Sequence, residues 1–297
     1  YLDYLEKAQR ASGKPVFLVA NRQGSGADEL AITSTYRGMP VLDGVTQFLV
    51  GARCLLAYRD FQRRPLMKCD VMDEKKVDYW KRQLQDCDDV SESVASDLLS
   101  DFGIPMIQSL KVSSQDELHA AALNVGFPLV LKTAVRGINH KTEVGGVILD
   151  ISDQYQLRDA YQDLLQRLGP AVTVSPMADS SGVEMILGVS RDDQFGPTVV
   201  VGFGGIYAEI LSDVAVLLPP FDAAKAKEAL ESLSMYPLLK GARGALAMDV
   251  DSYCEAAAKM SAIALAFADR VVEIDINPIQ LNTKGCIGLD ALVVLER

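Results

Sequence analysis

The sequence predicts a short parallel α/β unit followed by a larger α+β domain. Three observations carry this. Over residues 1–59, short apolar runs alternate with helical spacing, as parallel strands joined by helices do. From Ser91 onward strands and helices both occur, but without strict alternation. Between them, residues 60–90 differ in composition: fifteen of residues 60–89 are charged, seven basic and eight acidic, against 23% for the whole chain.

At 297 residues the chain is long enough for two domains of ~150 residues. Its net charge of −11 leaves no broad electrostatic footprint for nucleic acid or an anionic membrane. No apolar run approaches the roughly 18 residues of a membrane span. The five cysteines (Cys54, Cys69, Cys87, Cys254, Cys286) are odd in number and widely spaced, which suits a reduced, cytoplasmic protein. The chain opens at Tyr1 inside a helical pattern, so a piece of a longer polypeptide is expected.

Leu2, Leu5 and Ala8 set a first helix that stops at Gly13, and Val16–Ala20 reads as a buried strand. Asn21–Gly26 reads as loop, with a helix from about Ala27 and a strand at Pro40–Leu42. Val45, Phe48, Leu49, Ala52 and Leu56 mark a long amphipathic helix to Arg59. Sixty residues are too few for a complete α/β domain, so this unit should leave apolar surface exposed. The charged stretch reads as a solvated linker, helical around Asp73–Gln85 and carrying the only tryptophan, Trp80.

In the second domain Ser91 caps a helix ended by Gly103 and Pro105, and Ser114-x-x-Glu117 is a capping box. Strands are expected at Pro128–Thr133, Gly145–Ile151, Val172–Met177, Val183–Val189 and Thr198–Val201. Helices are expected at Gln154–Leu168, at Ala223–Ser232, and from Ser252-x-x-Glu255 through Ala268. Val271–Ile276 and Ile287–Leu295 close the domain as strands.

Chemistry concentrates in three places. Glu273, Asp275 and Asn277 share one strand face. A turn centred between Thr283 and Lys284 would bring Asn277 opposite Asp290, Cβ atoms about 5 Å apart. That amide oxygen and carboxylate suit Mg²⁺, which takes few protein ligands beside substrate phosphates; an edge hairpin with solvated polar residues is the alternative. Lys132 lies in an apolar strand, where a lysine is costly without an anion. The loop after it holds His140 beside Lys141, a phosphoryl acceptor, a general base or a surface histidine in a turn. His119, mid-helix, reads as a structural or surface residue. Gly202-Phe-Gly-Gly205, with Tyr207 to Glu209 beyond, allows close backbone approach to phosphate through Gly204 and Gly205. Lys240 and Arg243 are a weak anion candidate. Ser175-Pro-Met177 and Gly182-Val-Glu184 read as a nucleotide hinge at Met177 and a ribose contact at Glu184, or as a strand end and a turn.

Together these pieces resemble the nucleoside-diphosphate-forming acyl-CoA ligases, relatives of succinyl-CoA synthetase and ADP-forming acetyl-CoA synthetase. The resemblance rests on Gly126-Phe-Pro-Leu-Val-Leu-Lys132, His140-Lys-Thr-Glu-Val-Gly-Gly146, Arg191-Asp-Asp-Gln-Phe-Gly196, Gly202-Phe-Gly-Gly205 and Asp275-Ile-Asn-Pro278, in that order. It implies an ATP-grasp domain over residues 91–297. The stretch Gly38-Met-Pro-Val to Ala57-Tyr-Arg59 resembles the end of the flavodoxin-like CoA-ligase domain, over residues 1–59. The resemblance also implies ATP phosphates on Lys132, nucleotide on Glu184 and Mg²⁺ on Asn277 and Asp290. It makes His140 a phosphate relay, attended by Asp275, where succinyl-CoA synthetase has the longer Glu.

The implied reaction makes acyl-CoA from a carboxylic acid, CoA and ATP, with an oligomeric assembly in which upstream CoA-binding domains or a partner subunit supply the family's first phosphorylated histidine. An ATP-grasp carboxylate–amine ligase would need no histidine. A nucleotide-binding regulatory module of an acetyltransferase-like protein would need no catalysis.

Overall fold

The computed structural model describes residues 2–21, 28–63, 72–85, 87, 90–135, 137–138, 141–179, 181–205, 213–241, 244 and 246–296. The chain divides into two compact units, Tyr1–Leu66 and Met67–Arg297.

The first unit runs α1 (Leu2–Ser12), β1 (Leu18–Ala20), α2 (Glu29–Tyr36), β2 (Val41–Asp43) and α3 (Val45–Gln62). β1 and β2 pair in parallel, Leu18 beside Val41, as alternation with helices requires. Asp28 caps α2 by accepting from Leu30 N and Ala31 N. α3 departs from its amphipathic reading: none of its residues is buried, and Leu49, Val50, Leu55, Leu56 and Phe61 are all exposed. A two-stranded sheet is too small to cover an eighteen-residue helix on any side.

The second unit begins inside the charged stretch that composition sets apart. Helix α4 (Glu74–Gln85) buries Trp80 and Leu84 in the unit's core, and Trp80 Nε1 donates to Asp101 Oδ2 at 2.8 Å. The charges of α4 lie on its outer face, so composition alone hides its inner one. α5 (Glu92–Asp101), β3 (Leu110–Val112), α6 (Gln115–Val125), β4 (Leu129–Thr133), β5 (Val147–Ile151), α7 (Gln154–Arg167) and β6 (Val172–Pro176) follow. Four of these strands form an antiparallel sheet in the order β3-β6-β4-β5. Leu118 and Ala122 of α6 and Leu157 and Leu164 of α7 share a core with Leu129, Leu131, Val172 and Val174 of this sheet.

The remainder runs β7 (Val183–Asp192), β8 (Gly196–Phe203), β9 (Val214–Leu217), α8 (Ala223–Glu231), α9 (Tyr236–Leu239), α10 (Val250–Ala266), β10 (Val271–Asn282), β11 (Gly285–Gly288) and β12 (Ala291–Leu295). These strands make a second antiparallel sheet, β11-β10-β7-β8-β9, with β12 also on β10. Tyr253 bolts α10 to this sheet: its hydroxyl donates to Ile186 O and accepts from Gly202 N.

Of the expected Ser114–Glu117 capping box the first half forms, with Ser114 Oγ accepting from Glu117 N, while Glu117 Oε2 accepts from Ser113 N rather than Ser114 N. Two other caps differ from expectation. Asp249, not Ser252, caps α10: its carboxylate accepts from Ser252 N, and a carboxylate suits the positive helix end. Ser91 stands at the N-cap of α5, but its hydroxyl lies 3.1 Å from that of Ser93 and makes no cap bond. The single strand expected at Ile287–Leu295 is two, β11 and β12, broken at Leu289 and Asp290. Pro278 has no N–H to donate, and the ladder shifts between Ile276 and Ile279.

Candidate active site

β10 carries the chemistry, because its two ends pair with different strands. The two-residue turn at Thr283 and Lys284 sets Ile279 opposite Gly288, and beyond the gap Ile276 is opposite Ala291. Asn277 and Asp290 fall in the same register at the unpaired step between, where both side chains are free of the ladder. Along β10, Ile274 and Ile276 are buried while Glu273, Asp275 and Asn277 turn to the other face. Asn277 hydrogen-bonds the Asp275 carboxylate. Burial and the charge of Glu273 still hold Asp275 above the usual carboxylate range.

Asp275, Asn277 and Asp290 line a cavity of about 340 Å³ together with Glu92, Lys141 and Thr173. Lys141 Nζ sits 3.0 and 2.9 Å from the two oxygens of Asp290 and 2.8 Å from Glu92 Oε2. Burial opposes the Lys141 charge, but Asp290 and Glu92 outweigh it and raise its pKa. Burial raises the Glu92 pKa, aided by Asp290 and opposed by Lys141 and Lys132. Among the described residues no three His, Cys, Asp or Glu side chains gather as a metal centre. The donors present, one amide and one carboxylate oxygen, nevertheless fit Mg²⁺, and an ammonium already occupies the carboxylate that a cation would take.

A second cavity, about 670 Å³ and more apolar, is lined by residues of both sheets, Lys132 among them. Lys132 Nζ donates to Leu289 O at 2.6 Å and lies 3.9 Å from Glu92 Oε1. An apolar strand thus carries its lysine to a polar junction, which resolves the cost of placing it there. Met177, Glu184, Gly204 and Gly205 line the same cavity. Gly204 N donates to Glu184 O at 2.8 Å, and a side chain on Gly205, at φ +59°, would run into Glu184 Oε2. Gly205 therefore makes room for Glu184, and both glycines lie in the apolar cavity rather than the carboxylate one.

His140, Tyr207 to Glu209 and Arg243 lie outside the described residues. His119 is exposed on α6, away from both cavities, and Lys240 lies 4.9 Å from the Tyr236 ring centre. Glu92 and Lys141 are site residues the sequence did not single out. Lys141 carried a signal, adjacency to His140; Glu92 carried none, since acids are favoured in the first turn of any helix.

Two antiparallel sheets enclosing an apolar cavity, with a lysine and an acidic hairpin at one end, define a nucleotide-binding fold. Residues 85–295 match the ATP-grasp domain, and the chain belongs to this family. Among its relatives, the ADP-forming acetate–CoA ligase I beta subunit of Pyrococcus furiosus is 33% identical over 69% of this chain and 90% of its own. A trans-feruloyl-CoA synthase from an unknown prokaryotic organism is 35% identical over 70% of this chain. The chain spans only 31% of that synthase. Acetyl-coenzyme A synthetase 1 of Ca. Korarchaeum cryptofilum, solved with coenzyme A and Ca-AMPCP, superposes with a TM-score of 0.68. It is 28% identical, and the match covers 75% of this chain and 100% of that one. Another structure of that synthetase, with coenzyme A and Mg-AMPPCP, has its phosphohistidine segment pointing towards the nucleotide-binding site. No described helix is long and apolar enough to cross a membrane.

Proposed function

We propose that this chain is the nucleotide-binding, phosphoryl-transferring part of an ADP-forming acid–CoA ligase, which converts a carboxylic acid, CoA and ATP to acyl-CoA, ADP and phosphate. The observation that carries this reading is the position of Lys132, which lines the apolar cavity and reaches to 3.9 Å from Glu92 of the cavity of Asp275, Asn277 and Asp290. The base and sugar lie against Met177, Glu184, Gly204 and Gly205, and Lys132 takes phosphate oxygens. Asn277 and Asp290 are the residues that would hold Mg²⁺, which when bound neutralises charge on the transferring phosphoryl group.

His140, one residue from Lys141, is the phosphoryl acceptor. Its ring nitrogen forms the N–P bond as the bond from the γ-phosphorus to ADP breaks, and a neutral imidazole is available near pH 7 because its ordinary pKa is ~6.5. Asp275 attends the ring. CoA and the acid are bound mainly by CoA-binding domains or a partner subunit in an oligomeric assembly, to which residues 1–59 contribute the end of a CoA-ligase domain. The exposed apolar residues of α3 supply a surface for that assembly. The described cysteines are all free, in keeping with a cytoplasmic setting.

The test is incubation with γ-labelled ATP and Mg²⁺, scored for acid-labile, base-stable label. Label is expected on the wild type and on His119→Ala and lost in His140→Ala; label persisting in His140→Ala overturns the acceptor assignment. A carboxylate–amine ligase would show no such label in any variant.

A further inference from the structure

The apolar cavity is lined by a carboxamide, Gln280, that the reading above does not use. Gln280 is 7% exposed and lines the cavity. A carboxamide lining an otherwise apolar wall offers a ligand both a donor and an acceptor. Its placement is built. Gln280 pairs directly with Glu184 across the β10–β7 ladder, so both side chains leave the sheet on the same face. Gly182 stands against this stretch of β10: a Cβ there would run into Leu281 O and come within 3.1 Å of Gln280 Cγ.

We propose that Gln280 and Glu184 together grip the ribose hydroxyls of the bound nucleotide, and that Gln280 sets the preference for ribonucleotides over deoxyribonucleotides. This rests on the nucleotide reading of the cavity. A vicinal diol offers two O–H donors and the lone pairs behind them. A carboxylate only accepts, so Glu184 alone answers the donors. A carboxamide beside it donates through Nε2 and accepts through Oε1, completing the set. The base has other company: Val130, Leu149, Leu238 and Met248 provide apolar walls for a flat ring.

The experiment is calorimetric titration of the intact chain, with Mg²⁺, by ATP, 2′-deoxy-ATP, 3′-deoxy-ATP and GTP. Wild type, Gln280→Leu and Gln280→Met are compared, and thermal melting establishes that each variant is folded; Met keeps the unbranched stem should Leu disturb the strand. Wild type should lose about tenfold in affinity when the contacted hydroxyl is removed. The variants should bind ATP about tenfold more weakly, yet bind that deoxynucleotide as the wild type does, so that discrimination disappears. Unchanged ATP binding, or an equal loss for ATP and both deoxynucleotides, overturns the assignment. A changed ATP-to-GTP ratio with sugar discrimination intact also overturns it, and places Gln280 on the base edge instead. If the wild type binds no nucleotide at all, the nucleotide reading itself falls, and this assignment with it.

Discussion

Lys141 sets a positive charge against Asp290, the carboxylate proposed to hold Mg²⁺. Its ammonium spans Glu92 and Asp290, and removing it leaves two half-buried carboxylates facing each other. Breaking one side of such a pair is costly, because the remaining charges stay desolvated. A divalent cation relieves that cost, whereas in the wild type it must first displace the lysine. Lys141→Met is therefore expected to melt at lower temperature without metal, and to bind Mn²⁺ about tenfold more tightly than wild type by electron paramagnetic resonance titration. Added Mn²⁺ should restore its stability by mass action. Lys141→Arg, which keeps the charge, should do neither, and Asp290→Ala should weaken Mn²⁺ binding. Equal or weaker metal affinity in Lys141→Met would show that the ammonium does not compete for the site.

At the scale of elements, β10 organises the second unit, and α10 is tied to its sheet by one buried hydroxyl. Tyr253 is fully buried, and its replacement by Phe leaves Gly202 N–H without that acceptor. A loss of about 1–3 kcal/mol is expected in denaturant unfolding; a midpoint unchanged from wild type would mean the bolt contributes nothing. The hairpin shows how far local sequence reaches. A two-residue turn at Thr283 and Lys284 fixes pairing as far as Ile276 and Ala291, so the meeting of Asn277 and Asp290 was legible from turn chemistry alone. Other features carried no such signal. β3 and β9 have three and four residues, too short for a period to emerge. The inner face of α4 was masked by its charged outer one. Glu92 and Gln280 face partners far away in sequence, Lys141 across an ion pair and Glu184 across the ladder, and nothing in their own neighbourhoods marks them.

For the whole molecule, the division near residue 66 separates a small unit with little buried apolar surface from a large one with two cores. Few buried contacts mean low local stability, so the first unit should open at lower denaturant than the second. The means of seeing this is built in, because Trp80 is the chain's only tryptophan and lies in the core of the larger unit. Indole emission is thus a private optical channel for that unit, blind to α1, α2 and α3, while far-ultraviolet ellipticity sums the helices of both. Titration with guanidinium should give an early loss of ellipticity at constant emission, then a joint transition that ATP and Mg²⁺ displace to higher denaturant. Two signals that coincide from start to finish would mean that the two units melt as one body.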